Sequence, residues 1–316
     1  MTIRDLRHRA EYAVVVVLRA LVAVLPDNLS SALGATIGLT FHALDRRHRR
    51  VAINQLRAAF PTRTDDECRR IARSTFAHFG RLAVFVLRLS TIRQDDLRAR
   101  LEVEGENHFR KALSQGRGVL IITGHFGYWE VHGVAHALVF PRIHVLARPL
   151  DNPYLHRFLE DTRMSTGNGV IYRQGALRRV LRVLQGNEAV AMLIDQHIQP
   201  ANAVTVDFFN RPASTTAAAA TVALRTGAPL VPVFALPLPG GRVRLVYEHP
   251  VPLPPPDCPE PVRELTQRLT DVLEMYVRRH PDLWLWMHRR WRDGSEGSEP
   301  GMFPTASGGD VESAEP

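Results

Sequence analysis

The chain has 316 residues, 45% of them hydrophobic, which suits one large α/β domain or two smaller ones with a real core. Its two cysteines, Cys68 and Cys258, stand far apart in polar or proline-rich surroundings, so neither a disulfide framework nor a cysteine metal site is expected, in keeping with a reducing compartment. A net charge of +8 favours an anionic partner, whether membrane surface, phosphorylated substrate or nucleic acid, and charge alone does not choose.

At the N-terminus, Ala13 to Leu25 is apolar except for Arg19, too short and too interrupted for the roughly 20 apolar residues of a spanning helix. No small-residue cleavage pattern follows it, so a secretory signal is not expected. Ala32 to Leu44 is a second apolar stretch, with Ser30 or Ser31 as its candidate cap, and it leads into the basic run Arg46-Arg47-His48-Arg49-Arg50. Apolar helices beside a cationic cluster read as an anchor dipping into an anionic leaflet. The competing reading is two core helices with a solvated charged end. Residues 1–50 are therefore taken as membrane-associating helices, 51–292 as an α/β domain and 293–316, rich in Gly, Ser, Glu and Pro, as a disordered tail.

Helices are predicted over 51–60 and from Thr64 to Leu89, the latter opened by a Thr64/Glu67 capping box. Val103 begins a short strand, Asn107 to Gln115 reads as a helix, and Val119–Thr123 is a buried strand before a helix over 128–138. Further strands fall at 143–146, 170–172, 189–194, 229–234 and 242–247. Helices fall at 153–164, 176–184, 215–226 and 262–279, with a loop over 208–212. Strands alternating with helices predict a mixed, largely parallel sheet flanked by helices.

Chemistry is concentrated where the Val119–Thr123 strand ends. Gly124-His125-Phe126-Gly127-Tyr128-Trp129-Glu130 presents an imidazole at a strand exit and a carboxylate five residues later. Imidazole titrates near working pH, so His125 is the candidate general base and Glu130 the acid that orients it. On one continuous helix the two would lie about 140° apart. They can meet if His125 sits on the loop and Glu130 in the first helical turn, with Gly124 and Gly127 making the turn. A helix starting near Tyr128 also aims N–H groups at the site, suited to a developing oxyanion.

Other motifs compete for attention. His132 and His136, four apart, lack a His-Glu-x-x-His context and read as structural or surface histidines. His197 is a candidate substrate contact. Tyr128 and Trp129 are candidates to pack an apolar substrate, with core packing the alternative. The Trp284–Trp291 segment reads as an aromatic-basic interface at a lipid boundary, or else as core. No Gly-x-Ser-x-Gly and no Gly-x4-Gly-Lys-Ser/Thr occurs, which argues against a serine hydrolase and a P-loop NTPase. A non-catalytic membrane-surface adaptor would account for the N-terminus and the charge, but not for a His and a Glu delivered by a strand.

Five motifs in order then agree on one family. They are Gly124 to Glu130, Ala147-Arg148-Pro149-Leu150-Asp151-Asn152-Pro153, Leu193-Ile194-Asp195-Gln196, Phe208-Phe209-Asn210-Arg211-Pro212-Ala213 and Trp284 to Trp291. Over roughly residues 10–292 the chain resembles the bacterial lipid A late acyltransferases, which belong with the lysophospholipid and glycerolipid acyltransferases. The resemblance implies a glycerolipid-acyltransferase-like fold on the cytoplasmic face of the inner membrane. It implies acyl transfer from a thioester, on acyl carrier protein or coenzyme A, to a hydroxyl of a phosphorylated glycolipid or lysophospholipid, without a metal or other cofactor. By the same resemblance His125 is the base, Glu130 its acidic partner, Arg148 a basic residue near the site and Asp195 the acidic position after the next buried strand. Gly127, Tyr128 and Arg173 complete the substrate-binding candidates, while Arg178 and Arg179 read as a solvated helix face. Nucleic acid is not an expected partner. The acceptor stays open among a lipid A precursor, a lysophospholipid and a mannosylated phosphatidylinositol, with the tryptophan-rich ending favouring the first.

Overall fold

All five residues of Val119–Thr123 are buried, because this strand runs through the middle of a seven-stranded sheet covered on both sides. Such a strand has no polar face to show, hence the unbroken apolar run. Val119 and Ile121 point into one core and Leu120 and Ile122 into the other. The computed structural model describes residues 2–172, 175–199 and 203–291. The tail predicted over 293–316 lies outside them.

Five helices come first: α1 (Ile3–Val24), α2 (Asp27–Leu44), α3 (Arg46–Ala59), α4 (Asp65–Leu89) and the short α5 (Gln94–Arg98). The central run is β1 (Leu101–Glu104), α6 (Glu106–Leu113), β2 (Val119–Thr123), α7 (Trp129–Ala137), β3 (Ile143–Ala147), α8 (Pro153–Met164), β4 (Gly169–Tyr172), α9 (Ala176–Gln185) and β5 (Ala189–Leu193). A separate hairpin of β6 (Ala203–Asp207) and β7 (Pro212–Thr216) follows, then α10 (Ala218–Thr226), β8 (Leu230–Leu238), β9 (Arg242–Tyr247) and α11 (Pro261–Arg279).

The sheet order is β1-β9-β8-β2-β5-β3-β4, antiparallel only between β8 and β9, which is the mixed, largely parallel sheet expected. The ends of β2, β5 and β3 therefore open on one edge. Register does the rest: Thr123 stands opposite Leu193, and Ile194 N–H still donates to Thr123 C=O at 3.1 Å. The second residue past each strand end is thus His125 on one side and Asp195 on the other.

The Thr64/Glu67 capping box forms as read. Two expectations are corrected. α2 starts at Asp27, not after Ser30 or Ser31, because Asp27 is anchored by Arg88 at 2.6 Å and Arg100 at 2.8 Å and brings the chain into helix early. Thr215 and Thr216 belong to β7, where β-branched residues pair across the hairpin with Val204 and Ala203, and the helix begins only at Ala218. α2 lies against α4 through glycines. A Cβ on Gly80 would sit 2.0 Å from Gly34 C=O, and one on Gly38 2.0 Å from Phe76 C=O.

Beyond α11 the chain returns as a strap over 283–291, extended at Trp284 and turned at 286–288. Phe126 bridges to Trp284, and Trp284, Leu285, Trp286 and Met287 sink into a core with Leu56, Phe76, Phe126 and Phe208. The expectation of a lipid-facing aromatic belt here is corrected: Trp284 and Trp286 are 1% and 0% exposed. Their indole N–H groups find internal acceptors, Asp195 and Pro281 C=O, so nothing requires a wet interface.

Candidate active site

The loop after β2 is tied down before any side chain is considered. Gly127 has φ +58°, and a Cβ there would lie 2.2 Å from Ala235 C=O, so only glycine allows the turn to press against β8. Gly127 N–H donates to Leu283 C=O at 2.9 Å, Tyr128 N–H to Ala235 C=O at 2.7 Å, and Leu285 N–H to His125 C=O at 3.1 Å. On the other side the buried His78 ring nitrogen Nε2 lies 3.1 Å from Gly127 C=O. Gly127 therefore shapes the loop through its backbone. Tyr128, a substrate contact by expectation, turns inward instead: it is buried and stacks on His78 with ring centroids 5.7 Å apart, and burial raises its hydroxyl to about 12.

His125 is left at the rim with its side chain 17% exposed. Its Nδ1 is 2.8 Å from Asp195 Oδ1, and its own backbone N–H donates to Asp195 Oδ2 at 2.7 Å. Trp284 Nε1 donates to the same Oδ2 at 2.8 Å. Burial works to raise the Asp195 carboxyl, but the His125 charge, the two His125 hydrogen bonds and the Trp284 indole outweigh it and hold the group at about 2. A buried ionised carboxylate against Nδ1 leaves Nε2 as the nitrogen free for chemistry. The side-chain amide nitrogen of Gln196 stands 3.3 Å from that Nε2. Trp129 flanks the ring, centroids 5.4 Å apart.

Glu130 does not occupy the bracing position expected of it. It lies in the first turn of α7, and its two oxygens accept from Arg163 Nε at 2.9 Å and Nη2 at 2.6 Å. α7 packs against α8, so this bidentate pair is the partner that a largely buried guanidinium needs. Asp195, assigned to the substrate side by expectation, is the carboxylate on the ring.

The remaining candidates are dispersed. Arg148 follows β3 on the same sheet edge, with Nη2 3.5 Å from Asp151 and its side chain 43% exposed. Arg173 lies outside the described residues. His197 contributes its backbone N–H to His288 Nε2 at 3.2 Å. His132 and His136 are buried, as a structural reading expects, and His136 Nδ1 is 2.8 Å from the Tyr247 hydroxyl.

Three site features were not singled out from sequence. Gln196 directly follows the motif acid, and only its distance to Nε2 marks it. Arg163 carries no motif signal. Arg290 is buried, donating to Ser214 C=O at 2.6 Å and to the Thr215 hydroxyl, and burial lowers its guanidinium to about 10 against the pull of Asp195. A buried cation with no ion pair among the described residues was not expected of a charged segment that reads as a surface.

Comparison with known proteins places the chain among acyltransferases. The chain is 26% identical over 282 residues to the lipid A biosynthesis lauroyltransferase of Escherichia coli, covering 88% of this chain and 90% of the relative. It is 28% identical over 219 residues to a phosphatidylinositol mannoside acyltransferase of Mycobacterium tuberculosis, covering 67% of each. Among solved structures there is a likeness to a 1-acyl-sn-glycerophosphate acyltransferase of Thermotoga maritima, at 15% identity and TM-score 0.36 over 80% of this chain and 96% of that one, too slight to bear on the fold. The family model of the bacterial lipid A biosynthesis acyltransferases matches residues 2–293, and the chain belongs to that family.

Proposed function

We propose that this acyltransferase moves a fatty acyl chain from a thioester, on acyl carrier protein or coenzyme A, to a hydroxyl of a lipid A precursor, with His125 as general base. The observation that carries the reading is the His125 imidazole at a strand-end opening, its Nδ1 engaged by buried Asp195 and its Nε2 turned to the rim. Nε2 takes the proton of the acceptor hydroxyl as the oxygen attacks the thioester carbonyl. The imidazolium so formed is stabilised by Asp195, and the tetrahedral oxyanion collapses with expulsion of thiolate, which takes the proton from Nε2 and restores the neutral base. Thiolate is a good leaving group, so no strong acid is required. The opening N–H groups of α7, at Trp129 and Glu130, are the donors proposed for the oxyanion, since Gly127 and Tyr128 N–H are already committed.

Glu130 enters the proposal in a different role. A carboxylate gripped by Arg163 keeps lone pairs to accept from a second acceptor hydroxyl, and so fixes the acceptor rather than the base. Arg148, on the same edge, is the proposed contact for an acceptor or donor phosphate.

The place of action proposed is the cytoplasmic face of the inner membrane. Among the described residues no helix is long and apolar enough to cross a membrane. α1 and α2 instead leave apolar side chains exposed: Val14, Val17, Leu21 and Val24 along one stripe, Ile37, Phe41 and Leu44 along another, with exposed Arg46, Arg47 and Arg50 beside the latter. An apolar stripe beside cations suits burial in one anionic leaflet.

The similarity to phosphatidylinositol mannoside acyltransferases favours a second reading of the acceptor, a mannosylated phosphatidylinositol. Mass spectrometry of lipids from cells lacking the chain separates the two. Loss of one acyl chain from lipid A supports the first, loss from a phosphoinositide the second. An unchanged lipid profile, together with no turnover of acyl thioesters by purified protein, would falsify both.

A further inference from the structure

We propose that Trp284 is a positioning residue for this reaction: its indole N–H fixes which oxygen of Asp195 faces the His125 ring. The inference rests on the general-base reading above and goes beyond it by giving the strap a part in the chemistry. A carboxylate turns about one single bond, and the aspartate of a base pair is useful only while one oxygen stays aimed at the ring nitrogen. Here Oδ2 is held from two sides, by His125 N–H at 2.7 Å and Trp284 Nε1 at 2.8 Å, which leaves Oδ1 for Nδ1 at 2.8 Å.

The indole is itself aimed by the loop it serves. Trp284 bridges to Phe126, Leu283 accepts from Gly127 N–H, and Leu285 donates to His125 C=O, so loop and indole move as one body. Phe208 and Trp286 pack edge-on to the ring at 5.3 and 4.6 Å, closing off other orientations. A buried indole N–H must have an acceptor. Its acceptor here is the ionised carboxylate of the site, whereas the neighbouring Trp286 donates to Pro281 C=O, which serves the strap alone.

Electrostatics adds a second consequence. Among the described residues, His125 from the β2 loop and Arg290 from the strap act on the Asp195 charge. A donor on Oδ2 draws charge away from Oδ1. Without it the carboxylate holds a protonated imidazole more tightly, and the neutral base is regained only at higher pH.

The test is turnover by the full chain of lauroyl-coenzyme A with a glucosamine-disaccharide lipid A precursor, followed against pH for the parent, Trp284→Phe and Trp286→Phe. Trp284→Phe keeps an aromatic ring and loses the donor. Its kcat should fall about 10- to 100-fold with KM for either substrate within about twofold, and its low-pH limb should move up by about half a pH unit. Trp286→Phe should lower thermal stability and leave that limb in place. Parent-like kcat and limb in Trp284→Phe, or equal losses in both variants with neither limb moved, would overturn the inference. Should Trp284→Phe not fold, the benzothienyl analogue of tryptophan at position 284, with sulfur for the N–H, carries the same expectations. If His125→Ala turns over as fast as the parent, the general-base reading fails. If His125→Ala is inactive while Trp284→Phe matches the parent, the Trp284 inference alone fails.

Discussion

At His125 the two ring nitrogens have separate duties, and loss of the ring should separate from loss of the nearby Glu130 carboxylate. His125→Ala should cost about 10²–10⁴ in kcat while thermal unfolding stays within a few degrees of the parent. Glu130→Gln breaks the bidentate pair with Arg163, so a steady-state comparison should show KM for the acceptor rising more than kcat falls. An equal kcat loss in both would return Glu130 to the base. Gly127→Ala should be both unstable, by about 2 kcal/mol or more in urea unfolding, and inactive, since a Cβ meets Ala235 C=O and φ is positive. The sequence made His125 legible because a buried strand announces its own exit. The partner was misjudged for a physical reason. Glu130 is near in sequence, but Asp195 is near in space, and their adjacency depends on β5 lying beside β2, which no local pattern encodes. The resemblance pointed to Asp195 as an acidic site position without saying what it touches.

Among the elements, the strap is the one that sequence reading placed on the wrong side of the protein surface. Three tryptophans with Arg289 and Arg290 look amphipathic when written in a line. In the fold they are held by one residue of α3: Gln55 Nε2 donates to Trp286 C=O and His288 C=O, each at 2.6 Å, and Gln55 Oε1 accepts Arg290 N–H at 2.7 Å. Gln55→Leu strands those buried groups and should cost about 3 kcal/mol, with activity falling alongside stability. Chemical denaturation paired with turnover checks both, and an unchanged midpoint would show the strap to be held by its aromatic packing alone. Strands β2, β3, β4 and β5 were legible within a residue or two because each is a short run of mostly apolar residues, buried throughout in β2 and nearly so in β5, and only partly in β3 and the edge strand β4. The β6–β7 hairpin was missed because Pro212-Ala213-Ser214-Thr215-Thr216 has no apolar alternation, and its strand character comes from pairing with β6.

For the molecule as a whole, pH should act through buried histidines before it reaches the site carboxylate. Burial lowers His78 and His132 to about 4 and takes His136 well below its ordinary value. The folded state then binds fewer protons than the unfolded one below pH ~6.5, so the stability of the neutral rings is complete above that pH and is lost as pH falls toward about 4. Each of the first two should cost about 2 kcal/mol at pH 5, being one and a half units at 1.4 kcal/mol each. The Asp195 contribution has the same direction in a lower window: it is present above about pH 4 and lost as pH falls toward 2. His132→Leu, which removes a ring whose Nε2 has no hydrogen-bond partner, should flatten the decline in urea midpoint between pH 7.5 and 5. An unaltered slope would rule out His132 as a contributor. The N-terminal stripe is tested at the same scale. Val17→Glu with Val24→Glu, both at exposed positions, should reduce binding to anionic vesicles at least tenfold without altering thermal stability. Undiminished binding would move the membrane contact elsewhere.

The strap also sets the order of events during synthesis. Leu283 and Leu285 secure the His125 loop and Trp284 secures Asp195, yet all three emerge after every strand of the sheet has been made. A nascent polypeptide halted at Arg279 already carries both halves of the pair but none of the segment that clamps them. Competence therefore waits on residues 283–285, and a polypeptide that stops at Arg279 is a scaffold that should sit idle among its substrates.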